Sequence, residues 1–341
     1  MLSLFSKKQD LPKSVAELFY NKEKTVCKVV HKSGAETTIK TNQSCDGTTD
    51  PKKVVVFISS SVGCNQGCKF CYLTAKKYPY CKLSETIIIK NTLDAITACQ
   101  DLIKGKYLKL SFMGMGDVFY ENLNIKTIVR NIFKVLLIDK EIEGIDGVDI
   151  GTCMPNTSFL ENKIVEISKL NKYLFENYFL YFNPKNVYTD IVMNKFGNVF
   201  PRTPVRLFVS LSTVDPGVRH YLMPNSIDII DLENILDEVD TNIIFHCMFF
   251  EGLNDSFFYL RDLKEFVKKH YGSELRILRF NKCSNDVTLN ESPNFWRIID
   301  YFKNDKDIRF KYQISTGKEI QASCGQFICK NCKDILIRED V

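Results

Sequence analysis

A chain of 341 residues, 45% of them hydrophobic, is long enough for one large α/β domain with appendages, or for two domains. Forty-six basic against 41 acidic residues leave a net charge of +5, which is compatible with a nucleic-acid partner but too small to require one. No window holds about 18 apolar residues in a row, and the N-terminal MLSLFSKKQD is too short an apolar run for a secretory signal. Neither a membrane span nor export is therefore expected. Thirteen scattered cysteines then point to a reducing, cytoplasmic setting, in which they are ligands, nucleophiles or core residues rather than disulfides.

Residues 1–53 read as a short N-terminal extension. Val15–Tyr20 predicts one or two helical turns. Lys24–Lys40 predicts a small β-hairpin, because TVCKVVH and ETTIK carry β-branched residues on either side of the turn residues Lys32, Ser33 and Gly34. Thr41–Lys53, rich in Asn, Asp, Gly and Thr, reads as a loop. From Val54 a strand-then-helix rhythm begins with VVVFIS and the cysteine loop that follows it. The helical pattern Ser84–Leu102 comes next, with Ser84 and Glu85 as start signals. The pairs then run Tyr107–Met113 with Asn124–Leu137, Gly147–Cys153 with Leu160–Leu170, and Val205–Ser212 with Ile227–Val239. Thr241–Phe250 with Ser256–His270 and Leu275–Asn281 with Pro293–Phe302 complete them.

About six such units argue for an α/β fold with parallel strands and crossover helices. Six are too few for a closed eight-unit barrel; a partial (β/α)6 barrel, open on one side, fits the count. A flat doubly wound sheet gives the same pattern. In either case the chemistry belongs at the C-terminal strand ends. The core spans 54–313. Within it 171–204, aromatic-rich and ending in GNVFPRTP, interrupts the rhythm as a probable insertion over the barrel mouth. Residues 314–341 form a C-terminal tail.

The most informative stretch is SVGCNQGCKFC, Ser61–Cys71. Cys64, Cys68 and Cys71 stand at C-x3-C-x2-C, so three thiolates within eight residues can reach one iron–sulfur cluster. A [4Fe–4S] cluster with three protein ligands keeps one iron open for a small molecule, the arrangement that separates catalytic from closed structural sites. Phe70 stands where it can pack over the cluster, and Gly63 and Gly67 permit a tight backbone path. The alternative is a zinc knuckle, with Cys68 and Cys71 paired to Cys329 and Cys332. Zinc leaves the third cysteine, at x3 spacing, without a role. A second motif, SFMGMGD over Ser111–Asp117, puts glycines at a strand end, where backbone approaches a ligand closely. Asp117 there could accept hydrogen bonds from a cationic amino group.

The cysteine loop resembles that of the radical S-adenosylmethionine (SAM) superfamily, in which SAM chelates the fourth iron and is cleaved to a 5′-deoxyadenosyl radical. MGMGD is similar to the turn that holds the SAM ammonium there, with Gly116 and Asp117 in its positions, Asp for Glu and Val118 for Pro. Together with FVSLS, FEGLND and GKEIQASCGQF (Gly317–Phe327), these motifs resemble the RlmN/Cfr adenosine methyltransferases of large-subunit ribosomal RNA, from about Lys24 to Phe327. The resemblance implies a two-SAM mechanism with a [4Fe–4S] cluster and SAM as cofactors. One SAM methylates Cys324 on sulfur. The radical then takes a hydrogen from that S-methyl group, and the methylene radical adds to C2 or C8 of an adenine, which polar methyl transfer cannot reach. By position, Glu36 matches the proton acceptor, Gly151, Ser210, Leu211 and Ser212 line the SAM site, and Asn281 meets its adenosyl part. Implied partners are an RNA substrate, rRNA with tRNA as a further candidate, and an electron donor such as flavodoxin or ferredoxin.

The departures are specific. Phe57 stands where the family has its resolving cysteine, seven residues before the first cluster ligand. Ser212 replaces a His and Gly151 a Ser. Only about twenty residues precede the hairpin, too few for an independent RNA-binding domain. Gln313 and Thr316 stand among positions that are basic in the family. Two other readings stay open: a radical SAM enzyme with a different substrate, and a non-catalytic Fe–S or zinc protein that binds RNA.

Overall fold

The computed structural model describes residues 11–43, 49–138, 141–183, 192–193, 199–200, 204–239, 241–270, 272–282, 286–315, 317–322 and 326–327. Cys324, Cys329 and Cys332 lie outside them, as does most of the 171–204 stretch. Ten strands hydrogen-bond into one mixed sheet, in the order in which they occur along the chain. The first four, β1 (Val15–Tyr20), β2 (Val26–His31), β3 (Glu36–Gln43) and β4 (Thr49–Phe57), pair antiparallel. Six more then continue parallel to β4: β5 (Tyr107–Phe112), β6 (Gly144–Thr152), β7 (Val205–Ser210), β8 (Asn242–Cys247), β9 (Glu274–Leu278) and β10 (Arg309–Gln313).

Several segments depart from the sequence-based expectation. Thr41–Lys53, read as a loop, belongs to β3 at 41–43 and to β4 at 49–53, because each finds backbone partners in the other. Val15–Tyr20 is a strand, not helical turns. Six residues are too few to hold a helix alone, whereas β2 offers a partner for their backbone groups. Arg309–Gln313 adds an edge strand with a short apolar signature, Phe310 and Tyr312 packed against the core and alternating with polar residues turned largely to solvent.

The helices follow the rhythm. They are α1 (Tyr72–Ala75), α2 (Glu85–Ala98), α3 (Ile125–Ile138), α4 (Leu160–Tyr178), α5 (Pro216–Leu222), α6 (Ile229–Asp237), α7 (Phe257–Lys269) and α8 (Phe295–Lys303). Ser84 caps α2 by accepting from the Ile87 amide, and Asp215 and Asp228 cap α5 and α6 in the same way. α4 runs past Leu170 to Tyr178, because Leu174 and Tyr178 extend the apolar stripe of Leu160, Ile164, Ile167 and Leu170.

The two faces of the parallel strands differ in chemistry. Leu108, Leu110, Val148, Ile150, Leu207, Val209, Phe245, Leu275 and Ile277 belong to the main apolar core, with the helices. Alternate residues on the opposite face are buried but charged. Arg206 donates from Nε and Nη2 to the two oxygens of Asp149, at 2.7 and 2.6 Å. Lys53 and Lys109 both reach Asp146, at 3.3 and 2.9 Å. The Phe208 ring lies between the guanidinium groups of Arg206 and Arg276, 5.1 and 5.2 Å from its centroid, with His246 edge-on at 4.8 Å. Glu274 completes the row, paired with Arg276 and, at 3.0 Å, Lys311. Buried charges persist only when paired, and here each finds its partner on the same or a nearby strand.

This row makes stability pH-dependent. Burial by itself raises the Glu274 carboxyl, but Arg276 and Lys311 outweigh it and hold the group at about 2, below its ordinary 4.5. A depressed carboxyl contributes stability that is fully present above about pH 4.5 and is lost as the pH falls toward 2. Glu274→Gln should therefore lower the melting temperature at pH 7, with a loss of at most about 3 kcal/mol, and the difference from the unmutated chain should shrink below pH 4. Equal destabilisation at pH 7 and pH 3 would show that the charge is not what matters.

Candidate active site

Two loops meet beyond the ends of β4 and β5. The serine run Ser59–Ser61 leads from β4 into the cysteine loop, and the glycine turn 113–117 follows β5. They are laced together: the Gly114 amide donates to the Ile58 carbonyl at 3.0 Å, the Met115 amide to Ser59 Oγ at 3.0 Å, and the Ser60 amide to the Met115 carbonyl at 2.8 Å. Gly116 is required by this closeness, since a Cβ there would lie 2.2 Å from Ser61 Oγ and 2.4 Å from Ser60 Oγ. The glycines expected to admit a ligand thus admit the serine run, and fix the cysteine loop against the glycine turn.

The loop is held at both ends. Ser61 and Val62 pair antiparallel with Cys81 and Lys82. Gly63 then turns at φ +67°, where a Cβ would strike the Pro79 carbonyl oxygen at 2.3 Å. On the other side the Lys69 amide donates to the Leu222 carbonyl at 2.9 Å, and Asn225 Nδ2 to the Asn65 carbonyl at 2.9 Å. Cys71 begins α1. Cys64, Cys68 and Cys71 are all partly exposed, and each adds to the electrostatic environment of the Cys64 thiol. Burial first, then the neighbouring cysteines and Asp117, push that thiol up from its ordinary value. Phe70, between two of the cysteines, stacks on Phe250 at 6.0 Å, and Phe250 meets Phe280 edge-on at 5.1 Å.

Asp117 is 5% exposed and faces the chain. It accepts from the Phe119 amide at 3.0 Å, from Thr152 Oγ1 at 2.9 and 3.1 Å, and from the Cys153 amide at 2.8 Å. Burial raises its pKa, and these donors work against that rise. Three chain donors leave about one acceptor position of the carboxylate for anything else. Gly151 lies in β6 opposite Phe208 of β7; a side chain there would meet Met113 Cγ at 2.6 Å, so Met113 fills the space a serine would need. Ser210 ends β7. The Leu211 amide donates to the His246 carbonyl at 2.9 Å, and buried Ser212 sits at φ +55° with its carbonyl accepting from Asn254 Nδ2. Asn281 is buried just beyond β9, next to Phe280. Phe57, in the place of the resolving cysteine, is half-buried beneath the Lys40 ammonium, 4.8 Å from its ring centroid.

Glu36 stands at the start of β3 and is 3% exposed. Its carboxylate pairs with Lys28 of β2 at 2.8 Å. The tail residues on either side of Cys324 come to the same place. Phe327 forms an apolar cluster with Leu73 and Met115, against which Cys64, Cys71, Tyr72 and Tyr78 pack. Lys28 also lies over the Phe327 ring, at 5.2 Å.

No known family profile matches the chain. Individual relatives do. The probable dual-specificity RNA methyltransferase RlmN of Cytophaga hutchinsonii is 23% identical over 292 residues, which cover 82% of this chain and 67% of that one. The corresponding protein of Phocaeicola vulgatus is 26% identical over 287 residues, covering 81% and 67%, and that of Nitratiruptor sp. is 23% identical over 283 residues, covering 80% and 67%. In three dimensions a radical SAM methyltransferase from Sphaerobacter thermophilus superposes with a TM-score of 0.64 at 17% identity, over 94% of this chain and 82% of that one. The chain is thus similar in sequence to RlmN-type RNA methyltransferases and in fold to a radical SAM methyltransferase.

The cofactors of such a protein are a [4Fe–4S] cluster and SAM. The donor set fits. Cys64, Cys68 and Cys71 sit on one braced loop beside Phe70 and Phe327. Among the described residues no three His, Cys, Asp or Glu side chains converge on a single ion. A cuboidal cluster presents a separate iron to each thiolate, so it requires no such convergence. Gln66 Nε2, in the same loop, is buried without a hydrogen-bond partner in the ligand-free chain.

Several residues of this candidate site gave no sequence signal. Thr152 and Cys153 anchor Asp117. The Cys153 thiol is buried, donates to Gln66 Oε1 at 3.5 Å and meets Cys68, which together with burial pushes it well above its ordinary value. Arg219 of α5, 1% exposed, donates to the carbonyls of Cys153, Ser210, Leu211 and Ile227 at 3.1 to 3.3 Å. It ties the ends of β6 and β7 together. Arg219→Met should orphan these carbonyls and lower stability by about 3 kcal/mol or more, read as a fall in melting temperature. A variant that melts with the unmutated chain would show that water replaces the guanidinium.

Proposed function

We propose that the chain is a radical SAM RNA methyltransferase that methylates an adenine carbon, C2 or C8, through an S-methyl group on Cys324. Its parallel strands form the incomplete (β/α)6 barrel of the superfamily, with the buried charged face inside. The observation that carries the reading is the docking of the tail. Gln321 and Gln326, which flank Cys324 in sequence, accept from Lys28 beside Glu36, and Phe327 packs against the cysteine loop.

In this reading Cys64, Cys68 and Cys71 hold the cluster, and Phe70 shields it against Phe250. Bound there, the cluster and SAM supply a radical that can remove a hydrogen from the methyl group on Cys324. The SAM-binding groups are Gly116, Asp117, Gly151, Ser210, Leu211, Ser212 and Asn281, grouped at the strand ends. Glu36 takes the proton that must leave the adenine carbon. Its pairing with Lys28 holds it in place in a buried setting. The relatives are named RNA methyltransferases, which supports RNA as the substrate, with rRNA taken first and tRNA as a further candidate. A flavodoxin or ferredoxin is the natural electron donor. Among the described residues no helix is long and apolar enough to cross a membrane.

The test is direct. Anaerobically reconstituted protein is given SAM, a reductant and either rRNA or tRNA, and the nucleosides are analysed by mass spectrometry together with the Cys324 peptide. Methyladenosine in RNA and a methyl group on Cys324 are the expected pair. SAM cleavage without either would mean a radical SAM enzyme that acts on another substrate.

A further inference from the structure

A glutamine is usually exposed in a folded chain, yet Gln66, between Cys64 and Cys68, is only 2% exposed. Its backbone amide donates to the Cys64 sulfur. Its Oε1 accepts from the Cys153 thiol at 3.5 Å. The other end of the side-chain amide, Nε2, carries two N–H donors and is buried with no acceptor among the described residues. Leaving a buried donor unmade costs more than a made bond returns, so such a group points to an acceptor that the chain alone does not supply.

Cys153, which meets the other half of that amide, is held from several sides. Its own amide donates to Asp117 Oδ2 at 2.8 Å, and its carbonyl accepts from Arg219 Nη2 at 3.3 Å. Met154, the next residue, turns at φ +59° with its amide on Thr152 Oγ1 at 2.8 Å. With the backbone fixed in this way, the side chain reaches the cysteine loop, where the thiol is within hydrogen-bond reach of Cys68. A thiol has one hydrogen to give, and Gln66 Oε1 takes it. That bond sets the orientation of the amide. The oxygen is turned to Cys153, and the nitrogen is the free end, in a stretch bounded by two of the candidate ligand sulfurs. The acceptors that a cluster brings to this loop are its sulfurs, and hydrogen bonds to them help to set a cluster's reduction potential.

We propose that Gln66 donates from Nε2 to a sulfur of the cluster held by Cys64, Cys68 and Cys71, that Cys153 is the positioning residue that orients it, and that the pair raises the reduction potential of the cluster. The inference rests on the reading of those three cysteines as the cluster ligands. The sign follows from charge. Reduction adds one electron, supplied by a donor of the flavodoxin or ferredoxin class, and neither makes nor breaks a covalent bond. The sulfurs become more negative and accept a hydrogen bond more strongly, so a fixed donor favours the reduced form.

The experiment measures the midpoint potential of the full, cluster-loaded chain by anaerobic redox titration followed by EPR, without SAM, with iron content and melting temperature recorded for each variant. Gln66→Met keeps the size of the side chain and loses the donor. It should lower the ratio of reduced to oxidised cluster at a fixed potential about tenfold, which is a midpoint about 60 mV lower for a one-electron couple. Cys153→Ala should move the midpoint in the same direction by less, and Cys153→Ser, whose hydroxyl still donates to Gln66 Oε1, should return it. Gln66→Met combined with Cys153→Ala should match Gln66→Met alone, because Cys153 acts through Gln66. Looser packing alone would lower the melting temperature and leave the midpoint in place. An unshifted midpoint in Gln66→Met at full iron content would overturn the proposal and leave the proposed function standing. If Gln66→Met does not load iron, the Cys153 variants decide: equal potentials in Cys153→Ala and Cys153→Ser would overturn it. A double variant shifted by the sum of the two single effects would overturn the positioning role of Cys153. An unmutated chain that takes up no cluster would remove both this inference and the proposed function.

Discussion

Replacing Cys64, Cys68 and Cys71 together by alanine should reduce iron content, charge-transfer absorbance and SAM cleavage to background. The expected loss is complete because the open iron of a three-thiolate cluster is where SAM would bind, and no described side chain substitutes for three ligands at once. The fold should survive. The loop is held by backbone contacts that the substitutions leave alone: the Ser61–Val62 pairing, the Lys69 amide on Leu222, and Asn225 on Asn65. None of the three cysteines is fully buried, so truncation opens little cavity. Single substitutions are less clear-cut, since Cys153 lies beside Cys68 and offers a replacement thiol. Iron retained at full stoichiometry in the triple variant, with its melting temperature unchanged, would falsify the assignment of the cluster to this loop.

The alternation of strand and helix was readable in the sequence because most parallel strands are short apolar runs, and some helices carry a cap, as at Ser84 and Asp228. β10 was not readable. RFKYQ is an edge strand in which Phe310 and Tyr312 alternate with polar residues that serve Glu274 and solvent, a pattern two residues long. The site divides in the same way. The cysteine loop and glycine turn are local motifs, legible because the chemistry needs fixed spacing. Arg219 and Lys28 act across long sequence separations, on backbone carbonyls, and an acceptor carbonyl has no residue identity to read. Lys28 left one faint trace, a cation on the face of a strand that otherwise reads Val26 and Val30. Asp117 shows what a motif leaves out, namely the residues that hold its carboxylate. The motif pointed to a carboxylate turned toward a ligand, while Thr152 and Cys153, two residues of no obvious pattern, draw it into the chain.

Cys324→Ala should abolish methyl transfer to RNA while leaving the cluster, SAM binding and deoxyadenosine formation in place. A carbon of adenine is not nucleophilic, so the methyl group has to pass through a carrier that can present it as a radical, and a sulfur does this where an alanine methyl cannot. The separation of effects follows from geometry. Phe327, Ile320 and the two Lys28-bound carbonyls anchor the tail without using the Cys324 side chain, so the site around Cys64 and Cys71 keeps its cover when that thiol is removed. The same variant bears on release of the product. With Phe57 in place of a resolving thiol, a covalent protein–RNA intermediate needs another sulfur, and Cys329 and Cys332 are the nearest to Cys324 in the chain. A C-x2-C pair commonly holds one thiol of lowered pKa, the form that attacks. Cys329→Ser with Cys332→Ser should accordingly leave RNA covalently trapped on the protein, and adding Cys324→Ala to that pair should remove the trap. Trapping that persists in the triple variant would place the methyl carrier on a different residue. Undiminished methylation by Cys324→Ala alone would do the same, and would leave the docked tail as a structural cover for the cysteine site.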